Sequence, residues 1–231
     1  MSNDIVIYHG SKNIIEKPIF GEGKKTNDFG LGFYCTMDNE LAKELAVTSI
    51  TNGFSNKYLI DTEYLKILNL NSSEYTILNW IAILLKYRLF SITNPIAKKA
   101  KQYIIDNFSI NVDAYDIIIG YRADDSYYDY AESFINNSIS LNQLAKAMKL
   151  GKLGEQIVIK SNYAFSLLKY EGHEYVDLNE YFYKKEKRNY DANMEYMKIL
   201  EEDSINDLYI RDIVNGGVKN DDPRIPRNIS K

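Results

Sequence analysis

The chain has 231 residues, a mass of 26.8 kDa and a formal net charge of −4 at pH 7, from 28 basic and 32 acidic side chains. That length allows one large domain or two small ones, and 45% hydrophobic with 26% charged residues excludes a wholly disordered chain. A pI near 5.4 excludes the uniformly basic surface of a domain that holds nucleic acid through charge alone.

Cysteine and histidine are scarce. The single cysteine, Cys35, excludes an intrachain disulfide and a zinc site built from several cysteines, and with two histidines in all we expect no metal site. The first residues contain neither the basic nor the apolar region of a secretory signal, and the longest apolar stretch, residues 75–85, is too short to span a bilayer. These features predict a cytoplasmic protein with no membrane partner.

Strands and helices are predicted in irregular alternation. Short runs of apolar and β-branched residues between turn signals predict strands at residues 4–8, 32–36, 57–70 (one or two strands), 115–120, 155–160 and 166–170. Apolar residues at helical spacing, with capping residues before them, predict helices at residues 38–53, 72–90, 94–108, 124–137, 140–150, 177–202 and 204–215. Between the last two strands, residues 162–165 predict a turn or a short helix.

This order predicts an α+β fold, because no strand–helix–strand rhythm of a doubly wound sheet is present. The β-branched run at residues 115–120 is the best candidate for a central strand. We divide the chain into a domain at residues 1–175, with a helical insertion at about 72–108, and a helical C-terminal extension at residues 176–231.

Two segments place polar or aromatic groups at the ends of predicted strands, where a core does not require them. Residues 8–11 (YHGS) present an imidazole, a hydroxyl and, at Gly10, a main chain that a planar ring can approach. In residues 28–36 (DFGLGFYCT), period-2 alternation points Tyr34 away from the predicted core face, where it can stack on a flat ligand. Taken singly, the first segment is better explained as a strand-ending turn with a hydrogen-bonded histidine, and a half-exposed aromatic on an ordinary strand is the alternative for the second.

A third segment, residues 153–160 (LGEQIVIK), begins an apolar strand with two polar residues. Glu155 and Gln156 fall on opposite faces of that strand, so a bulge is required for both to face one ligand. Taken alone, this is a polar start to a strand.

A polar run follows the predicted strand at residues 115–120 and contains Arg122, Asp124 and Asp125. The guanidinium of Arg122 can bind a pyrophosphate through two hydrogen bonds, and either aspartate can act as a base toward a target group. The alternative is that these residues begin a helix, whose first turn favours acidic side chains.

The order YHGS, DFGLGFYCT, GEQIVIK resembles the three signature motifs of the ADP-ribosyltransferase superfamily. The resemblance is to the branch with a His–Tyr–Glu triad, which includes diphtheria-type toxins and poly(ADP-ribose) polymerases, and it covers residues 5–170. Residues 115–128 (YDIIIGYRADDSYY) also resemble a narrower bacterial family whose members look like toxins encoded beside small antitoxin proteins.

The resemblance implies two small sheets around an NAD cleft, and transfer of one ADP-ribose unit from NAD to a macromolecular acceptor, protein or nucleic acid. It implies a small antitoxin protein as partner and no metal. In that cleft His9 and Ser11 would bind the adenosine ribose, Gly10 would bind the nicotinamide carboxamide through its backbone, and Tyr34 would stack on the nicotinamide ring.

Gln156 falls where the superfamily has its catalytic glutamate. Its amide can orient the ribose but provides less charge stabilisation than a carboxylate. Glu155, Asp124 and Asp125 would lie on the side of the acceptor. Leu45 falls where the branch often has a second tyrosine, so the second wall of the ring site would be aliphatic. The alternatives are an NAD glycohydrolase and an NAD-binding module with little turnover.

Overall fold

A computed structural model describes residues 3–122, 125–150, 155–202 and 206–227 of the chain. The strands described there are β1 (Asp4–Ser11), β2 (Phe33–Thr36), β3 (Gly53–Asp61), β4 (Ile67–Asn69), β5 (Ile117–Tyr121), β6 (Glu155–Ile159) and β7 (Lys169–Val176). The α-helices are α1 (Asn39–Ala46), α2 (Ile77–Tyr87), α3 (Pro95–Phe108), α4 (Asp125–Ile135), α5 (Leu141–Ala147), α6 (Asn162–Ser166), α7 (Leu178–Glu201) and α8 (Ile210–Asn215).

The strands form one sheet in the order β4-β5-β6-β2-β1-β3-β7. Neighbours are antiparallel except β4 and β5, which are parallel. All of β1 pairs with β3, whereas β1 and β2 pair only at Tyr8 and Thr36. The α+β class is therefore confirmed, but the expected two separate sheets are wrong. They are two parts of one sheet, because the pair Tyr8–Thr36, which we call the junction, connects them.

Alternate residues of β5 and β6 face two different cores, as period-2 side-chain alternation requires. Val158 and Ile118 pack in a large core with α2, α3, α4 and α5, on what we call the helical face of the sheet. Ile157 and Ile117 pack in a smaller core with residues of α6, on what we call the second face. Both faces of β2, and both faces of β6 from Gln156 onward, are therefore covered.

Several predicted helix starts are confirmed by their caps. The carboxylate of Asp38 accepts hydrogen bonds from the backbone N–H groups of the first turn of α1. Ser140 caps α5 and Asn94 caps α3, which has Pro95 in its first turn. The helical insertion consists of α2 and α3, and α7 begins directly after its cap, Asp177.

Several predicted boundaries are wrong. The helix predicted at residues 38–53 ends at Ala46, the helix predicted at residues 72–90 begins at Ile77, and the strand predicted from residue 57 begins at Gly53. The first strand does not end at His9 but continues to Ser11, because residues 9–11 keep pairing with β3. The strand predicted at residues 166–170 lies at Lys169–Val176, since Asn162–Ser166 form α6. The last helix begins at Ile210; Ser204, where its start was predicted, lies outside the described residues.

Candidate functional site

The His9 ring lies at the junction between β1 and β2. Its Nδ1 is 2.7 Å from the carbonyl oxygen of Tyr34, and its ring centre is 4.5 Å from that of Phe33. Because a carbonyl only accepts, Nδ1 is the nitrogen that bears the proton, which leaves Nε2 as an acceptor in the neutral ring. Burial lowers the pKa of His9, as does the charge of Arg122, while the hydrogen bond to Tyr34 raises it. His9 can therefore accept a hydrogen bond from a ligand hydroxyl at neutral pH.

Gly10 is a point of close packing between β1 and α1. A Cβ at this position would lie 2.0 Å from the carbonyl oxygen of Ala42 and 2.8 Å from the backbone nitrogen of Ala46. The sequence predicted that a planar ring could approach the main chain at Gly10. In the structure, helix α1 makes this close approach. Leu45, on the same helix, packs against the large core. Ser11 ends β1, and its hydroxyl accepts a hydrogen bond from the backbone N–H of Asn13 at 3.2 Å.

The Tyr34 hydroxyl holds the turn that precedes β2. It donates to the carbonyl of Gly30 at 2.6 Å and accepts from the N–H of Phe29 at 3.1 Å. Burial is the main reason why the pKa of Tyr34 is raised, so the hydroxyl keeps its proton at neutral pH. Tyr34 and Cys35 do point to opposite faces, but the Tyr34 face is covered as well, because Tyr34 packs against the large core.

Gln156 is only 3% exposed and belongs to a buried polar chain. Its Nε2 donates to Oδ2 of Asp28 at 3.2 Å, and Asp28, 5% exposed, forms an ion pair with Nε of Arg88 at 3.3 Å. The Arg88 guanidinium in turn lies 5.1 Å from the ring centre of Tyr128. An ionised carboxylate only accepts, so this contact fixes which end of the Gln156 amide faces Asp28.

Asp28 is a residue of the site that sequence reasoning missed. Asn27 and Asp28 precede a glycine-rich strand start, but such an Asn-Asp pair also occurs in ordinary turns. Its contact with Gln156 spans 128 residues of chain, and nothing local in the sequence indicates it.

Glu155 has a different environment from its neighbour. It lines an open pocket of about 490 Å³ at the junction, together with Tyr8, Thr36, Met37, Asp38 and Asn39. One carboxylate oxygen accepts a hydrogen bond from Nδ2 of Asn71 at 2.9 Å. Glu155 is thus the acidic residue of the third motif that faces open space.

The residues after β5 are described only in part. Arg122 is partly buried. Burial lowers the pKa of His9 and raises that of Cys35; the positive charge of Arg122 adds to the first shift and opposes the second. Asp124 lies outside the described residues. Asp125 begins α4, as the helix-start alternative expected, and its side chain is outside the description.

The structure brings the three motifs together at the junction. His9 contacts the backbone of Tyr34, and Gln156 pairs with Thr36, two residues from Tyr34 along β2. The rings of His9 and Tyr34 nevertheless lie toward different cores, since His9 packs on Phe33 of the smaller core. The pocket at the junction is lined by one residue of each motif, Tyr8, Thr36 and Glu155, whereas His9, Tyr34 and Gln156 are not among its lining residues.

In the part of the chain described, no three or more His, Cys, Asp or Glu side chains are grouped as a metal ion would need. Among the same residues, every helix is too short or too polar to cross a membrane.

One protein family matches most of the chain. Residues 5–170 match the family described as Protein of unknown function (DUF3990), the same span that contains the three motifs. No curated protein and no solved structure matches the chain significantly. Because the family match extends over more than half of the sequence, the chain belongs to the DUF3990 family.

Proposed function

We propose that the protein cleaves the bond between nicotinamide and ribose in NAD and transfers the ADP-ribosyl group to a macromolecule. The observation that supports this is the meeting of three distant motifs at the junction, beside a pocket of about 490 Å³. His9 and Tyr34 are in contact there, and Glu155 lines the pocket.

The reaction places simple demands on such a site. The C1′–N bond breaks, its electron pair leaves with nicotinamide, and the ribose develops positive charge before a nucleophile of the acceptor attacks C1′. Catalysis then needs positioning of the leaving group and a negative or polarised group beside the sugar. Neutral His9 can accept a hydrogen bond from a ribose hydroxyl, and Glu155 can stabilise the cationic sugar and take the proton of the nucleophile.

The resemblance assigns the acid's position to Gln156, with Glu155 as the alternative. Burial favours Glu155, because Gln156 is only 3% exposed and its amide nitrogen is bonded to Asp28, whereas Glu155 lines the open pocket. In our proposal Glu155 is the catalytic carboxylate and Gln156 holds the turn at Asp28 in place.

The resemblance to toxins encoded beside antitoxins supports a biological setting for this activity. We propose that the protein acts inside a bacterial cell on a protein or nucleic-acid acceptor, and that a small antitoxin protein binds it.

Two labels on NAD test the function. NAD labelled on the adenylate and, separately, on nicotinamide is incubated with the protein and a cell extract divided into protein, RNA and DNA. Release of nicotinamide with adenylate label on one macromolecular fraction supports the transferase. Free ADP-ribose as the only labelled product indicates a glycohydrolase. Saturable NAD binding without nicotinamide release indicates a binding module, which the neutral amide at Gln156 favours as the second candidate. Absence of any NAD binding contradicts all three.

A further inference from the structure

Helix α7 exposes an apolar stripe on the side that faces away from the protein. The helix has 24 residues, about 36 Å at 1.5 Å per residue, and buries Ala192 and Ile199 on its inner side. Its outer side contains four large side chains that are between 50 and 69% exposed: Tyr183, Tyr190, Met194 and Met197.

The spacing of this stripe is that of a helix–helix seam. Tyr183, Tyr190 and Met197 are seven residues apart, and Met194 lies one turn from Tyr190 on the same side. A seven-residue apolar repeat keeps one seam of a helix against a partner helix over its whole length. A contiguous apolar surface built from two tyrosines and two methionines indicates an interaction site on a monomer.

The charges of α7 divide into two halves. Residues 179–190 contain four basic and two acidic side chains, whereas residues 191–202 contain one basic and four acidic ones. Within the chain, Arg188 forms an ion pair with Glu44, and Glu202 forms one with Lys146. Without these two side chains the first half of the helix still has a net positive charge and the second half a net negative charge.

Two copies of the same helix bring opposite net charges together in one orientation only. If the two helices run antiparallel, the basic half of each lies beside the acidic half of the other. If they run parallel, like charges face each other along the whole seam. The stripe also fits the antiparallel orientation, because Tyr183 and Met197 are equally distant from Tyr190.

We infer that α7 pairs antiparallel with α7 of a second copy, about a two-fold axis near Tyr190. Tyr190 then faces its own counterpart, and Tyr183 of each copy faces Met197 of the other. Such an interface is isologous and closes as a dimer. The seam lies outside residues 5–170, so this inference does not depend on the proposed function.

Cross-linking of engineered cysteines tests the orientation. The native Cys35 is buried and is left in place. With a short thiol cross-linker, Tyr190→Cys is expected to link to itself, and a mixture of Tyr183→Cys and Met197→Cys to form only the mixed product. Self-linking of Tyr183→Cys would show a parallel pair and overturn the inference.

Sedimentation of the full chain tests the dimer itself. The wild type is expected to double its mass between low and high micromolar concentration, and Tyr190→Glu to stay monomeric with an unchanged unfolding midpoint. Tyr64→Glu is a matched control, since Tyr64 is exposed and lies between β3 and β4. The inference is overturned if the wild type stays monomeric at every concentration, or if Tyr190→Glu leaves the dimer intact. In either case the stripe has another partner or none.

Discussion

Glu155 and Gln156 are neighbours on β6, yet their side chains lie in opposite surroundings. Glu155 lines the pocket at the junction, while Gln156 points to the helical face and is bonded to Asp28. Because consecutive side chains of a strand point to opposite faces, one of these neighbours is available to a ligand and the other holds the structure together. Likeness to a motif therefore identifies a short segment, and burial then decides which of its residues can act on a ligand.

We expect the greatest loss of stability from a second carboxylate beside Asp28, on the buried side of β6. Gln156→Glu places a carboxylate about 3 Å from Asp28, and we expect a loss of roughly 3–5 kcal/mol of unfolding free energy at pH 7, as for an uncompensated buried charge. Like charge and burial raise the folded pKa of the new acid above its unfolded value, so its cost grows as pH rises through that folded pKa and is smallest in acid. Urea unfolding between pH 5 and pH 8 measures this.

The matched control removes the charge of Asp28 from the Gln156→Glu variant. Asp28→Asn combined with Gln156→Glu leaves one carboxylate in the cluster, still beside Arg88, and is expected to recover most of the lost stability. If Gln156→Glu alone is as stable as the wild type at both pH values, the buried contact is not what the structure describes.

A substitution of Glu155, which lines the pocket, is expected to change activity and not stability. Glu155→Gln keeps the shape and its hydrogen-bonding oxygen but removes the charge, so nicotinamide release should fall by about 10²–10³-fold while stability changes by less than about 0.5 kcal/mol. Radiolabelled nicotinamide release, normalised to folded protein, measures this. The matched variant is Gln156→Ala. For it we expect a loss of stability with little change in nicotinamide release per folded protein. A silent Glu155→Gln beside an inactive, stable Gln156→Ala would return the catalytic role to Gln156.

Tyr34→Phe tests a second buried side chain, on the same helical face of the sheet as Gln156. It removes the two hydrogen bonds to the Phe29–Gly30 turn and keeps the ring, so about 1–2 kcal/mol of stability should be lost. Thermal or urea unfolding detects this loss. If ring stacking on nicotinamide is the role of Tyr34, the affinity for NAD should stay within a few-fold of wild type, as measured by calorimetry. A large loss of affinity at unchanged stability would assign the hydroxyl itself to the ligand.

The smallest effect is the pH response of His9. Its folded pKa lies below the unfolded value of 6.5, so below that pH the unfolded chain takes up a proton that the folded chain excludes. Stability from this group is therefore complete above pH 6.5 and is lost as pH falls toward the folded pKa, by about 1.4 kcal/mol for each unit of pKa difference. Urea unfolding at pH 7.5, 6.5 and 5.5 compares the wild type with His9→Gln, which should lose less stability. His173→Gln, at an exposed histidine of β7, is the control; equal slopes for wild type and His9→Gln contradict the prediction.

The fold was predictable wherever its signals are local. Asp38 and Ser140 bond to backbone groups two or three residues away, so their caps are visible in the sequence. The opposite directions of Tyr34 and Cys35 follow from strand alternation alone.

The rest depends on contacts between distant segments. β1 extends to Ser11 because β3 pairs with it, and Tyr34 is covered because residues of the helical insertion share its core. The Asp28–Gln156 contact joins two motifs that the sequence separates, and no periodicity marks it. Pairing and burial of this kind depend on tertiary packing, which overrides local propensity.

Backbone pairing is unequal across the sheet. β3 holds β1 along its full length and β6 holds β2 along its full length, whereas a single residue pair, Tyr8–Thr36, connects β1 to β2. The smaller core spans this junction, because Ile7 of β1 packs there with Cys35 of β2 and Ile157 of β6. Side-chain packing therefore joins the two parts of the sheet more than backbone hydrogen bonds do. Substitutions in this core are expected to loosen the junction, and with it the walls of the pocket that Glu155 lines, while each part keeps its own backbone pairing.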